Sequence, residues 1–347
     1  MVFLPVLCAG AEFFGIQFHY SLYPLAAFYL LLALPQLFLC IGGTIRISPK
    51  AKFGWGILAA LLVLSDRGYW VHAFFVNNHL LLGFYFTLSV IGIIKYRENR
   101  QLFWLVIAAM ALATTSLQRN EMAVFAFVPT ALLMSLEDLD RKHYAAFLGT
   151  FLAIAFGWQF YRVAKLGVGV HIHGWGMAQV GLFCCYLASY PIVHFQILRK
   201  NVARRAPVIF LLLGTALTIG ILLFAPSRLV KSSLCLWDSL TMANVYGEHR
   251  YDWGILWIGF AAVYLLNLAL VKDRVLALLS WGIALFFVLR ILIFSLPMFK
   301  GIVCNNSGSR ILMHILPLCG IYVAYALANA FSEGTDENTS DVGPETP

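Results

Sequence analysis

The chain has 347 residues, of which 61% are hydrophobic and only 12% charged, with a formal charge of +8 at pH 7 and a mean hydropathy of +0.82. Apolar stretches recur from end to end, which excludes an ordinary water-soluble globular domain. The Lys and Arg residues accumulate in short segments between apolar runs, without the aromatic-basic pattern of a soluble nucleic-acid module, so nucleic acid is excluded as a partner.

Along the chain the apolar runs predict about twelve spans. They lie near residues 2–18, 21–45, 53–65, 72–94, 103–117, 122–136, 144–164, 176–197, 207–225, 252–271, 275–296 and 311–330. Backbone groups inside hydrocarbon must bond internally, and the runs lack the strict alternation of barrel strands. The expected fold is therefore all-α, a polytopic transmembrane helical bundle of about 10–12 spans. The third, fifth and sixth runs are short for a full crossing, which leaves the count open by about two. The first run holds Glu12 in its middle and His19 at its end and lacks a basic leader, so it is either an odd span or an amphipathic helix on the outer surface, not a secretory signal. The bundle is expected over residues 1–331, followed at 332–347 by a disordered acidic cytoplasmic tail rich in Asp, Glu, Ser, Thr and Pro.

If the helices alternate in direction, one side collects Arg46, Lys50, Lys52, Lys95, Arg97, Arg100, Arg141, Lys142, Arg199, Lys200, Arg204, Arg205, Lys272 and Arg274, and that side is expected to be the cytoplasm. The other side receives five polar segments, 66–70, 118–121, 165–175, 228–252 and 300–310, from which any external site must be assembled. Five of the seven cysteines fall in apolar runs; Cys235 and Cys304 lie in segments on the outer side, where a disulfide is one option.

Several polar groups interrupt this apolar background. Asp66 and Arg67 join two spans, and Asn77, Asn78 and His79 follow inside the next; they form either the wall of a polar pocket or hydrogen bonds between helices. Gln118, Arg119, Asn120 and Glu121 separate two apolar runs without a Gly or Pro turn. They either close a helical hairpin with a salt bridge or let Arg119 grip an anionic group that Glu121 or Asn120 orients. Arg310 opens the last span with His314 four residues on, one helical turn away, a spacing that suits a phosphate clamp, although interfacial snorkelling accounts for a lone Arg as well. His171 and His173 alternate but lack a third ligand at a usual spacing, so no metal site is expected, and no cofactor motif is present. Trp237, Asp238, Tyr246, Glu248, Tyr251, Asp252 and Trp253 place acids beside aromatic rings, as a sugar-binding rim does and as a membrane interface also does.

Three stretches together resemble the GT-C class of integral-membrane glycosyltransferases. Asn78-His79-Leu80-Leu81-Leu82 resembles the polar residue before an aliphatic helix. The helix ending at Leu117, the tetrad 118–121 and the run from Met122 through Pro129 resemble the Arg-Pro-Glu-Gly hairpin of the class. Ser309-Arg310-Ile311-Leu312-Met313-His314-Ile315-Leu316-Pro317-Leu318 resembles its late Arg-Tyr-hydrophobic-Pro segment. The resemblance covers roughly residues 50–330 and departs from the pattern at Asn120, Met122 and Ile311.

Members of the class usually carry a catalytic acid in a sizeable first outer loop, which has no counterpart between the first two apolar runs. Either the chain begins after that loop, or Glu12 takes the role, or the activity is absent. The resemblance implies a hexosyltransferase in a bacterial inner membrane that moves a sugar from a polyprenyl-phosphate donor to a glycan, lipid or protein acceptor of the cell envelope. It implies Arg119 and Arg310 on the donor phosphate, Asn120 and Glu121 as orienting groups, and Asp66 or Glu12 as the base, with Arg67, His79, His314 and Asp238 also lining the substrate site. Two other functions fit the same residues: a transporter or flippase of a lipid-linked or anionic solute, and an O-antigen polymerase-like or ligase-like enzyme.

Overall fold

The computed structural model describes residues 18–45, 47–66, 69, 79–119, 121–166, 173–195, 222–241, 255–270, 273–295 and 311–339, with isolated positions between 200 and 220. Every regular element among the described residues is helical. In chain order these are α1 (Phe18–Ile41), α2 (Pro49–Leu64), α3 (His79–Asn99), α4 (Leu102–Gln118), α5 (Met122–Phe125), α6 (Phe127–Met134) and α7 (Arg141–Leu166). They are followed by α8 (His173–His194), α9 (Pro226–Thr241), α10 (Ile255–Leu270), α11 (Arg274–Ser295) and α12 (Leu316–Thr339). One 3-10 turn, Gly42–Thr44, follows α1 and another, Ile311–His314, leads into α12.

The helices start where the sequence supplies caps. The Ser48 hydroxyl accepts the Ala51 N–H at 3.2 Å with Pro49 in the first helical turn of α2, and the Asp273 carboxylate accepts the Leu276 N–H at 2.7 Å to start α11. Asp140 caps α7 by accepting the N–H groups of Lys142 and His143 at 2.6 and 3.3 Å. Slight burial pushes its carboxyl up, but those two hydrogen bonds outweigh it and hold the group below the usual carboxylate range. Between α3 and α4 the chain turns through Arg100 at φ 57°, a left-handed conformation that costs a side-chain-bearing residue energy. The guanidinium secures it by donating to the Asp138 carbonyl at 3.0 Å and carboxylate at 3.1 Å.

Two apolar cores hold the helices. One is built on α1, α2, α3, α11 and α12, with Phe38, Val63, Phe86, Phe286, Tyr322 and Tyr325 fully buried; the other packs α7 between α4 and α8 through Leu112, Phe147, Phe151 and Tyr186. Missing side chains permit the closest approaches. A Cβ on Gly83 would lie 2.5 Å from the Met313 carbonyl oxygen and 3.2 Å from the Pro317 ring, so α3 and the entry to α12 touch backbone to backbone. Gly320 does the same against Ala59 of α2, where an added Cβ would lie 2.9 Å from the carbonyl oxygen.

The helices α3 and α11 are long and apolar enough to cross a membrane, and shorter apolar helices span Ala27–Ile41, Leu102–Gln118, Met122–Met134, Leu256–Asn267 and Leu316–Ser332. Large apolar side chains face outward on several of them, Leu265 being 66% exposed and Phe28 58%.

Two stretches differ from the sequence expectation. Residues 226–241, expected within an outer polar segment, form the helix α9, and α12 continues as a helix to Thr339, past the expected end of the bundle at 331. Residues 1–17, including the first expected span, lie outside the described residues.

Candidate functional site

Contacts between helix ends divide the bundle into two poles. At one pole Arg100 at the end of α3 pairs with Asp138 ahead of α7, Arg97 is close to Arg274 and Asp273 at the start of α11, and Cys40 at the end of α1 is close to Lys95. At the other pole lie the end of α2 with Asp66, the start of α3 with His79, the α4–α5 junction with Arg119 and Glu121, the end of α11 with Arg290, and the 3-10 turn with His314.

The buried centre of this second pole is an imidazole pair. His79 Nδ1 and His314 Nε2 are 2.8 Å apart and share a hydrogen bond, the rings stack with centroids 5.1 Å apart at 22°, and both residues have no exposed surface. Gly83, one turn along α3, makes the pairing possible because its bare backbone lets Met313 and Pro317 settle against the helix. Pro317 costs little there, since it sits in the first turn of α12 where no helical N–H is needed.

Asp66 is fully buried just beyond α2, and its Oδ1 accepts the Tyr69 N–H at 3.3 Å. The Tyr69 hydroxyl in turn donates to the Ala27 carbonyl of α1. Burial pushes the Tyr69 phenol well up, which keeps it protonated as that donor. Asp66 is also close enough to Cys319, one turn into α12, to act on it electrostatically, so α1, α2, α3 and α12 all converge on the acid and the imidazoles.

Arg119 and Glu121 form an ion pair at 2.7 Å with side chains 20% and 23% exposed. The Arg119 N–H closes α4 on the Thr115 carbonyl and its own carbonyl accepts the Met122 N–H, so the tetrad is a tight link without a glycine. The helix after it is one turn, Met122–Phe125, and continues through Ala126 into α6. Its short dipole adds little to an anion's binding, and the guanidinium is the anion-attracting group of the junction.

Arg290 is fully buried in α11, donates to the Ser232 carbonyl of α9 at 2.9 Å and lies over the Phe294 ring at 5.5 Å. The Ser232 hydroxyl donates back to the Ile291 carbonyl at 3.0 Å. One turn along α9, Cys235 is disulfide-bonded, with its partner outside the described residues, as Cys304 is; Cys40, Cys184, Cys185 and Cys319 are free thiols.

Of the residues expected at a site, the structure places Asp66, His79, Arg119, Glu121 and His314 at one pole and joins two couples among them, His79 with His314 and Arg119 with Glu121. Glu12, Arg67, Asn120 and Arg310 lie outside the described residues; Asp238 falls on α9, its side chain likewise outside them. Among the described residues no cluster of three His, Cys, Asp or Glu offers a metal a ligand set. Nothing in the sequence couples His79 to His314 or Ser232 to Arg290, because each partner is far along the chain. No protein-family model, curated protein or solved structure matches the chain.

Proposed function

We propose that the chain is a multi-pass membrane glycosyltransferase of the GT-C kind, which moves a hexose from a polyprenyl-phosphate donor to a glycan, lipid or protein acceptor of the cell envelope, in a bacterial inner membrane. The observation that carries this reading is the pole at which a buried carboxylate, Asp66, stands with a buried imidazole pair and the Arg119–Glu121 couple, at the opposite end from the basic residues 95–100. The apolar exterior and the two membrane-length helices support placement in a bilayer.

In the reaction an acceptor hydroxyl oxygen bonds to the anomeric carbon while the bond from that carbon to the phosphate oxygen breaks. Polyprenyl phosphate leaves, and the hydroxyl proton passes to a carboxylate. Asp66 is the base in this scheme, and the Tyr69 N–H bound to one of its oxygens fixes the carboxylate in place. Arg119 holds donor phosphate by exchanging its Glu121 partner for a phosphate oxygen, and the displaced Glu121 turns toward the sugar.

The test is Asp66→Asn in protein reconstituted with a polyprenyl-phosphate sugar and an acceptor. The amide oxygen still accepts the Tyr69 N–H, so folding is retained, while transfer is expected to fall about 10²-fold or more. Transfer at the wild-type rate refutes the assignment of Asp66.

A further inference from the structure

We propose that the His79–His314 couple is a pH-operated latch: it pins the 3-10 segment Ile311–His314 to the start of α3 near neutral pH and frees that segment when both imidazoles are protonated. The inference is independent of sugar transfer and rests on the juxtaposition of two buried rings on elements at opposite ends of the chain.

The proton count makes the couple bistable. With each ring neutral, one N–H lies in the contact and donates to the bare nitrogen of the other ring. One added proton leaves the contact intact, because an imidazolium still donates to a neutral ring. A second added proton fills both facing nitrogens, so that two N–H groups confront one another at 2.8 Å and two positive charges share a water-poor site. No bond other than the new N–H forms, and the rings must part.

Only one of the two elements can yield. His79 opens a helix of 21 residues packed against α1, α4 and α12, whereas His314 ends a four-residue 3-10 turn, a poorer hydrogen-bonding geometry continued into α12 by the Ile315 N–H to Leu312 carbonyl bond at 3.2 Å and the Cys319 N–H to Ile315 carbonyl bond at 3.0 Å. Departure of His314 draws Met313 from the face of Gly83 and uncovers the start of α3 beside Asp66.

The other titratable groups on the surrounding elements set the sign. Asp66 beyond α2 and Glu121 before α5 are acids that favour added protons, and Arg290 of α11 and Arg119 after α4 oppose them, the Arg119 and Glu121 charges cancelling within their pair. Tyr29 of α1 and Cys319, Tyr322 and Tyr325 of α12 take up no proton on acidification, and α6 carries no titratable side chain. Among the described side chains, acid therefore acts on the rings and, below them, on Asp66 and Glu121.

The experiment is hydrogen-deuterium exchange of the full chain in nanodiscs at about pH 7.5 and about pH 4.5, on either side of the ordinary imidazole range, corrected for the intrinsic pH dependence of exchange. Peptides covering 311–319 are expected to lose protection about tenfold or more in acid while peptides from α11 and α4 keep theirs. In His314→Gln, whose amide can meet His79 but cannot take up a proton, protection of 311–319 is expected to stay the same at both values. Equal protection of the wild type at both values overturns the proposal, as does an acid loss in His314→Gln equal to that of the wild type. If the variant is unprotected throughout at neutral pH, the wild type decides: loss confined to 311–319 and the start of α3 supports the latch, and loss spread over α4 and α11 overturns it.

Discussion

Gly83 is the residue on which the polar pole most directly depends. A methyl group there meets the Met313 carbonyl at 2.5 Å, and neither α3 nor the entry to α12 can move without separating the imidazoles. Gly83→Ala is expected to cost about 1–3 kcal/mol, the usual range for overpacking, read as a lower midpoint of thermal unfolding in detergent. An unchanged midpoint means that the two backbones are not in contact. The polar residues of this pole stood out in the sequence because charges and imidazoles are rare in apolar runs, and five of them, Asp66, His79, Arg119, Glu121 and His314, lie at one end of the bundle, where two couples are in contact. Their pairing was not legible. The salt bridge of Arg119 is two residues long and was one of two readings of the tetrad, whereas His79 and His314 are separated by 235 positions and only tertiary packing unites them.

Among the elements, α9 shows what a hydropathy threshold overlooks. Residues 226–241 carry too many polar groups to register as a span, yet Leu229, Ser232, Cys235 and Leu236 fall on one buried face while Val230, Lys231 and Trp237 face outward. That three-and-four spacing was the available signal. The buried face docks on α11, where Ser232 and Arg290 exchange hydrogen bonds. Leu236→Asp places a carboxylate in this interface and is expected to detach α9, accelerating tryptic cleavage at Arg228 and Lys231 about tenfold or more relative to the wild type. An unchanged cleavage rate locates the anchorage of α9 elsewhere. By contrast α3 and α11 were plain in the sequence, since a helix-length window of high mean hydropathy has few alternatives; α11 falls within one position of the expected 275–296, and α3 ends at Asn99 rather than at 94.

For the molecule as a whole, the separation into a basic pole and an imidazole pole follows from the alternation of helix direction that the Lys and Arg clusters suggested. Asp138 marks the first pole and Glu121 the second, so Asp138→Cys and Glu121→Cys are expected to react with an impermeant thiol reagent from opposite sides of sealed, uniformly oriented vesicles. Labelling of both from one side refutes the two-pole layout. The same layout sets a schedule for synthesis. His79 is made 235 residues before the partner that buries it, an interval on the order of ten seconds or more at ordinary elongation rates, so its imidazole and the bare backbone of Gly83 stand open to chaperones and proteases until the entry to α12 arrives. A ribosome that stops short of residue 311 therefore releases a chain carrying the mark of its own incompleteness, an imidazole that the finished protein keeps out of reach.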